Sequence, residues 1–261
     1  MPEQIKIMLD AGHYGNRNKS PGVPEYSEAV RMWKLHLLLK SELESYGFFV
    51  ETTRENQKKD LSITKRGKLA KGFDLFISLH SNAVGSYMST TDRVDVYAPY
   101  DNINDSHALA ARLGGAVAQV MGIEESYVKT RKGDNGEYYG VLRGARSAGC
   151  PLYYLIEHSF HTNERAARWL LDDNNLLALA KAEAAILAEY FGMRTKYSLG
   201  DVNGDGEVNE YDYMLIKRAV LGTYELSEEQ QEAADINQDG KINEYDYILA
   251  KRIVLGTYTL K

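Results

Sequence analysis

The sequence has little of several things that define common protein classes. It contains a single cysteine, Cys150, so no disulfide can form within the chain. No apolar run approaches the ~20 residues that a membrane-spanning helix needs, and the basic residues form no cluster beyond short Lys-Arg pairs that would indicate a nucleic-acid partner. The start, Met-Pro-Glu-Gln, lacks the basic and apolar regions of a signal peptide. We therefore expect a mature form of an exported protein or another export route, and the C-terminal features favour the former.

One twelve-residue pattern occurs twice near the C-terminus, at 201–212 and 235–246. Side-chain oxygens at positions 1, 3, 5, 9 and 12, with the backbone carbonyl of position 7, are the ligand set of a calcium loop. Gly206 and Gly240 allow the sharp turn at position 6. The predicted calcium-loop residues are Asp201, Asn203, Asp205, Glu207, Asn209 and Asp212 in the first loop and Asp235, Asn237, Asp239, Lys241, Asn243 and Asp246 in the second.

The C-terminal residues are therefore expected to form a separate module that folds around calcium. About 60 residues bury too little surface to fold robustly alone, so bound metal supplies the missing stability. Residues 200–261 contain 13 Asp and Glu against 6 Lys and Arg, a net charge of −7; the whole chain carries −6, so the rest is close to neutral. Calcium reaches millimolar levels outside cells, which points to export.

The repeat resembles a type I dockerin over about residues 200–261. Each loop leads into a similar helix that ends in Leu-Gly-Thr-Tyr, no amphipathic helix precedes the first loop, and position 12 is Asp rather than the Glu of an EF-hand. The resemblance implies two bound Ca²⁺ ions and a cohesin domain of a scaffold protein as partner, as in cellulosome-type assemblies. The two similar halves imply two binding orientations. Loop positions 10 and 11 are Glu-Tyr in both copies, which leaves the choice of cohesin open. A purely structural calcium-bound tail is the alternative.

The preceding residues have the length and pattern of one α/β domain. We predict a mixed, mostly parallel sheet between helices, followed by the small all-α module, with domains at 1–193 and 200–261 and a short linker at 194–199. Strands are predicted at 4–10, 48–53, 74–80, 94–98 and 152–156 and helices at 27–46, 64–71, 106–121 and 164–191, the last with a break near 172–174.

Polar residues at strand ends form a candidate metal site. His13, His80 and Glu157 end or follow predicted strands, and the carboxyl ends of parallel strands meet at one edge of a sheet. Zinc catalysis on an amide needs three nitrogen or oxygen ligands and a carboxylate that moves protons. Glu28, at the start of the first helix, and Glu25, in the loop before it, are both candidates for the third ligand.

At these residues the chain resembles a zinc-dependent N-acetylmuramoyl-L-alanine amidase, a type of cell-wall hydrolase. Residues 5–191 carry the resemblance through an ordered set of motifs. These are Leu-Asp-Ala-Gly-His (9–13), a helix-opening Glu28, Thr-Arg (53–54), Asp-Leu-Phe-Ile-Ser-Leu-His-Ser-Asn-Ala (74–83), Val-Leu-Arg (141–143) and Pro-Leu-Tyr-Tyr-Leu-Ile-Glu-His-Ser-Phe-His-Thr-Asn-Glu (151–164).

The resemblance implies one catalytic Zn²⁺ held by His13, Glu28 and His80, with Glu157 as the catalytic carboxylate. It implies hydrolysis of the amide between N-acetylmuramic acid and the L-alanine of the peptidoglycan stem peptide. The chain departs from the family pattern after His13, where Tyr14 replaces a glycine, and after Glu28, where Ala-Val replaces a basic residue.

Other residues have weaker assignments. Asn82 and Arg143 are candidates for positioning the substrate, and His158 and His161 are expected to flank the site without binding the metal. Two further functions stay open: a zinc peptidase or carboxypeptidase acting within the stem peptide, and a non-catalytic protein that binds the wall. In each case we expect an extracellular protein attached to a scaffold or a cell surface.

Overall fold

The computed structural model describes residues 4–193 and 197–260. The chain divides into two compact units, the first made of 1–44 and 48–193 and the second of 45–47 and the residues after 193. Residues 194–196 of the predicted linker lie outside the described residues. Within the described ranges, no helix combines the length and the apolar character needed to cross a bilayer.

The first unit contains eight strands and six α-helices among its described residues, and three further helices belong to the second unit. The strands are β1 (Lys6–Ala11), β2 (Phe49–Thr52), β3 (Leu75–Asn82), β4 (Val94–Tyr97), β5 (Ser126–Lys129), β6 (Lys132–Gly133), β7 (Gly136–Glu137) and β8 (Leu152–Phe160). The helices are α1 (Glu28–Ser45), α2 (Ile63–Lys68), α3 (Ser106–Met121), α4 (Gly140–Ser147), α5 (Glu164–Trp169), α6 (Asp173–Phe191), α7 (Glu210–Val220), α8 (Glu228–Ala234) and α9 (Glu244–Val254).

Six strands form one mixed sheet in the order β2-β1-β3-β8-β4-β5. β2, β1, β3 and β8 run parallel to one another, whereas β4 pairs antiparallel with β8 and parallel with β5. Every residue of β8 is buried, as expected for a strand covered on both faces. The predicted fold class, a mixed and mostly parallel sheet between helices, is confirmed.

Helices cover both faces of the sheet. On one face Met8, Phe76 and Leu155 share an apolar cluster with Val141 and Ala145 of α4. On the other face the Tyr154 hydroxyl donates a hydrogen bond to the carbonyl of Ser106, at the start of α3. Successive side chains of each strand point to opposite faces of the sheet, so they pack into two separate layers of core.

β8 is longer than predicted, and its extra residues matter for the site. It was predicted to end at Ile156 but continues to Phe160, because the polar residues after Ile156 stay buried and paired with β3. The register shifts beyond the His80–Glu157 pair, and Ser159 has a left-handed φ of 60°. A bulge of this kind re-aims neighbouring side chains. The helical break predicted near 172–174 is present, with Asp172 capping α6.

Two glycines, Gly67 of α2 and Gly144 of α4, allow these helices to cross in backbone contact. A Cβ added to Gly67 would lie 1.9 Å from the carbonyl oxygen of Val141 and 2.6 Å from the amide nitrogen of Ala145.

We expect Gly67→Ala to destabilise the first unit by about 3 kcal/mol, since backbone atoms cannot move aside. Gly115→Ala in α3 is the matched control: nothing lies within 4 Å, so alanine should stabilise by about 0.5–1 kcal/mol. Urea unfolding of the full chain measures both, and equal stability of the two variants would contradict the close crossing.

The second unit consists of two loop-helix repeats around a small apolar core. Ile216 of α7 and Ala250 of α9 are fully buried in it. Both helices begin with a capping box, in which an Asn side chain accepts a backbone hydrogen bond and an Asp side chain accepts one from the Asn backbone. These caps are Asn209 with Asp212 and Asn243 with Asp246.

Candidate metal centre and active site

Three side chains from different elements meet at one end of the parallel strands. His13 follows β1, Glu28 is the first residue of α1, and His80 lies in β3. One ligand atom of each lies within 4.8 Å of the others. The His80 Nδ1 is 2.9 Å from Glu28 Oε1, and the His13 Nε2 is 3.4 Å from Glu28 Oε2. Glu25 is exposed on the preceding loop, so the structure brings together Glu28 and not its alternative.

The Glu28 carboxylate is the centre of this triangle. It is only 1% exposed, and it accepts hydrogen bonds from the Asn18 side chain and the Ser81 backbone. Burial alone would raise the pKa of Glu28, but the His80 hydrogen bond and charge outweigh it and hold that pKa well below its usual value. Burial lowers the pKa of His13, whereas the contact with Glu28 raises that of His80 despite burial. The cluster thus holds a concentrated negative charge between two imidazoles.

Glu157 lies directly beside this triangle. It is opposite His80 in the β3–β8 pairing and opposite Asp95 in the β4–β8 pairing. Its side chain is 8% exposed, and Oε2 is buried with no hydrogen-bond partner among the described residues. Burial raises the pKa of Glu157 to about 8; Glu28 and Asp95 act in the same direction, and His80 and Lys129 oppose them. A carboxyl group with this pKa and a free oxygen is suited to accept and return a proton near neutral pH.

A groove of about 500 Å³ lies next to the two histidines. The residues that line it include His13, His80, Arg66, Tyr138 and Tyr139. The two tyrosines follow the β6–β7 hairpin. The groove gives an extended substrate access to the metal-ligand cluster.

Comparison with known proteins identifies both units. Residues 7–189 match the family described as N-acetylmuramoyl-L-alanine amidase. The chain belongs to this family. Residues 199–255 match the type I dockerin domain, so the amidase carries a dockerin and both predicted resemblances are confirmed.

Solved structures share the fold of the amidase unit. The catalytic domain of the amidase CwlV from Bacillus (Paenibacillus) polymyxa var. colistinus is 20% identical, with a TM-score of 0.59, and the match covers 73% of this chain and 100% of that one. An N-acetylmuramoyl-L-alanine amidase from Clostridium difficile 630 is 18% identical, with a TM-score of 0.62, and the match covers 72% and 97%. The CwlD amidase of Clostridioides difficile, solved with the GerS lipoprotein, is 23% identical, with a TM-score of 0.61, and the match covers 72% and 99%. No curated protein sequence matches the chain.

The two predicted substrate residues form hydrogen bonds with other residues of the amidase unit. Arg143 donates hydrogen bonds to the carbonyls of Glu137 and Tyr138, and it lines a separate depression with Arg131. The Asn82 side chain is 3.4 Å from Asp95 and also accepts a bond from the next backbone amide. Substrate contacts by Asn82 and Arg143 therefore stay a prediction, and their observed bonds support the walls of the site.

Two histidines of the amidase unit flank the site in different ways. His161 is buried, its Nδ1 lies 2.9 Å from the Ser81 carbonyl oxygen, and its ring stacks on Tyr26. His158 lies on the opposite face of β8, where its Nε2 is 3.2 Å from Glu183 Oε1. Its Nδ1 is 3.0 Å from the His80 carbonyl oxygen, so it supports the strand without reaching the groove.

Sequence reasoning missed Asp95 as a neighbour of Glu157. Asp95 is fully buried and pairs with Arg93 and Lys129 at 3.1 and 2.8 Å. Its position depends on the antiparallel pairing of β4 with β8, and nothing in the local pattern of β4 sets that register. An acidic residue inside an apolar strand was the available signal, and by itself it is ambiguous.

The dockerin loops fold in the same way. In the first, the Asp201 carboxylate accepts backbone bonds from Gly204, Asp205 and Gly206, and carboxylate atoms of Asp201, Asp205 and Asp212 lie within 4.8 Å of one another. In the second, Asp235 accepts from the amides of Asp239 and Gly240, and Asp246 accepts from those of Asn237 and Asn243. Gly206 and Gly240 have φ values of 89° and 80°, the left-handed turn that position 6 requires.

Proposed function

We propose that the chain is a zinc-dependent amidase that hydrolyses the bond between N-acetylmuramic acid and L-alanine in peptidoglycan, and that its dockerin attaches it to a cohesin-bearing scaffold. The observation that carries the proposal is the convergence of His13, Glu28 and His80 beside Glu157, whose Oε2 is buried and unpartnered. Family membership gives the bond that is cut, and this geometry gives the chemistry.

The ligand atoms suit zinc. Two imidazole nitrogens and one carboxylate form the three-ligand set of catalytic zinc sites, which leaves a position open for water or substrate. Bound zinc supplies Lewis acidity, which polarises a carbonyl oxygen and lowers the pKa of water to about 7. His13, Glu28 and His80 are the proposed ligands, and the hydrogen bonds from Asn18 and Ser81 hold the Glu28 carboxylate in place.

Glu157 is the proposed proton carrier. As general base it takes a proton from the attacking water, and as general acid it returns that proton to the nitrogen of L-alanine. The Oε2 of Glu157 has no hydrogen-bond partner among the described residues, so it is free to take this proton. β8 is buried along its whole length, so the Glu157 carboxylate is already held beside His80. Its side chain therefore loses no conformational entropy when the substrate binds.

Product analysis separates the amidase from the two alternative functions. A soluble disaccharide-tetrapeptide from peptidoglycan is incubated with the zinc-loaded chain, and the products are identified by mass spectrometry. The amidase releases intact tetrapeptide and peptide-free disaccharide. A peptidase shortens the peptide that stays on the sugar, and a wall-binding protein releases nothing. The zinc-free protein is the control.

The dockerin is proposed to bind two Ca²⁺ ions through the residues predicted from its loops. Positions 1, 3, 5, 9 and 12 supply side-chain oxygens, and Glu207 and Lys241 supply backbone carbonyls. The arrangement of Asp201, Asp205 and Asp212 supports the first site. Calcium reaches millimolar levels outside cells, so the two proposed calcium sites support an extracellular location, on a scaffold or a cell surface.

Two equivalent exposed surfaces support the cohesin proposal. Tyr211, Met214 and Leu221 lie along one face of α7 and its C-terminus, and Tyr245, Ile248 and Leu255 occupy the corresponding positions of α9. All six large apolar side chains are exposed, which is unusual unless a partner covers them. Lys217 and Lys251 also occupy corresponding positions of the two helices. Either helix can therefore present the same chemistry to one cohesin.

This duplication predicts a non-additive mutation result. We expect Met214→Asp or Ile248→Asp alone to weaken cohesin binding by about twofold, because the other helix still offers an intact surface. The double variant should lose at least a hundredfold, since a charge then enters either interface. Calorimetry against a panel of type I cohesins measures this, with circular dichroism in calcium as the folding control. A hundredfold loss from one single variant would show that only one helix binds.

A further inference from the structure

A second buried carboxylate is linked to His80 through Ser78, at the ring nitrogen that does not face Glu28. Asp10, in β1, is 1% exposed and accepts hydrogen bonds from two hydroxyls. The Thr53 Oγ1 is 2.5 Å from Asp10 Oδ1, and the Ser78 Oγ is 2.7 Å from Asp10 Oδ2. The Ser78 Oγ in turn lies 3.1 Å from the His80 Nε2. Nothing in the proposed metal centre itself accounts for this chain of contacts.

Counting protons fixes the direction of each hydrogen bond. An ionised carboxylate only accepts, so the single proton of the Ser78 hydroxyl goes to Asp10. The Ser78 oxygen is then left as an acceptor for His80, and the His80 Nε2 must carry a proton. The other ring nitrogen, Nδ1, is 2.9 Å from Glu28 Oε1 and is the atom on the side of the proposed metal centre.

We propose that Asp10, acting through Ser78, positions His80 for metal binding by fixing the orientation of its ring. This inference rests on the proposed zinc site. Asp10 and Ser78 are positioning residues, because neither belongs to the His13–Glu28–His80 group of candidate ligands. The Arg66 guanidinium, 3.7 Å from Asp10 Oδ1, and the Thr53 hydroxyl hold the carboxylate in its position against Ser78. The Leu-Asp, Thr-Arg and Ile-Ser-Leu-His segments thus meet in one network.

The test measures zinc affinity of the calcium-saturated chain by competition with a chromophoric chelator. Partners of this kind typically contribute 10- to 100-fold to metal affinity. We expect Ser78→Ala to raise the zinc Kd by that factor, and Asp10→Asn combined with Ser78→Ala to add little more. Ser106→Ala is the matched control, because this buried serine hydroxyl has no hydrogen-bond partner among the described residues. Its zinc Kd should equal that of wild type.

A spectroscopic readout separates positioning from general packing. Nitrogen NMR of ¹⁵N-histidine-labelled protein reports which His80 nitrogen carries the proton. In the zinc-loaded protein, we expect a hydrogen-bonded His80 Nε2–H signal in wild type and Ser106→Ala, and faster exchange of that proton with solvent in Ser78→Ala.

Three results would overturn the inference. The first is a Ser78→Ala variant that binds zinc within threefold of wild type. The second is equal weakening by Ser78→Ala and Ser106→Ala, which would indicate packing alone. Both would leave the proposed amidase function standing. The third is wild type that binds no zinc at all, which would remove the proposed metal centre together with its positioning network.

Discussion

Replacing Glu157 with glutamine should lower the rate of peptidoglycan hydrolysis by about a thousandfold while zinc stays bound. Proton transfer by a positioned side chain typically contributes 10²- to 10⁴-fold, and glutamine keeps the shape of the side chain but cannot accept a proton. Glu157 is fixed opposite His80 and has an unpartnered buried oxygen. We therefore do not expect another group of the chain to take over the proton transfer. Steady-state kinetics on soluble muropeptides and the zinc content per chain measure both parts of the prediction.

Glu183 provides a matched control for this variant. It is also a fully buried glutamate with an unpartnered Oε2 among the described residues, but it lies on α6 against His158, on the other face of the sheet. We expect Glu183→Gln to lower stability and to leave kcat within a few-fold of wild type. Equal losses of kcat from Glu157→Gln and Glu183→Gln would contradict a specific proton-transfer role for Glu157.

Removing calcium should unfold the dockerin and leave the amidase unit folded. Asp201, Asp212 and Asp246 are buried carboxylates, and within residues 197–260 none of them forms an ion pair with Lys or Arg. Without a cation, their mutual repulsion and burial oppose folding. One site at a calcium concentration 1,000 times its Kd stabilises by about 4 kcal/mol, so two sites approach the whole stability of a small domain.

Hydrogen exchange with mass spectrometry tests this in the full chain. Protein is stripped with a chelator, desalted, and then given zinc alone or zinc with calcium. In zinc alone, we expect amides of α7 and α9 to lose at least a hundredfold of protection, while those of β1, β3 and β8 keep theirs. Protected α7 and α9 amides without calcium would show that the apolar core alone holds the dockerin together.

The sequence was enough to predict the fold class and the metal ligands, but not the strand register beside them. His13 and His80 could be placed together because parallel strands end at one edge, and Glu28 was selected over Glu25 by family resemblance. The antiparallel pairing that brings Asp95 to Glu157 could not be predicted, because strand register between distant segments depends on tertiary packing.

Side-chain networks were the least predictable part. The contact between Asp10 and Ser78 joins residues 68 positions apart, and neither residue type is unusual in its own strand. The substrate roles of Asn82 and Arg143 came from their closeness to motifs, but closeness in sequence does not decide which way a side chain points. The bulge at Ser159, which lengthens β8, likewise has no local turn signal.

The most direct test of the proposed function is the identity of new amino termini in purified peptidoglycan digested by the zinc- and calcium-loaded chain. New termini and new reducing ends are counted in the same sample. Zinc-dependent hydrolysis at the muramoyl bond predicts L-alanine as the new terminus, with no increase in reducing ends. Termini from D-alanine or from the third stem residue, or an unchanged wall, would contradict it.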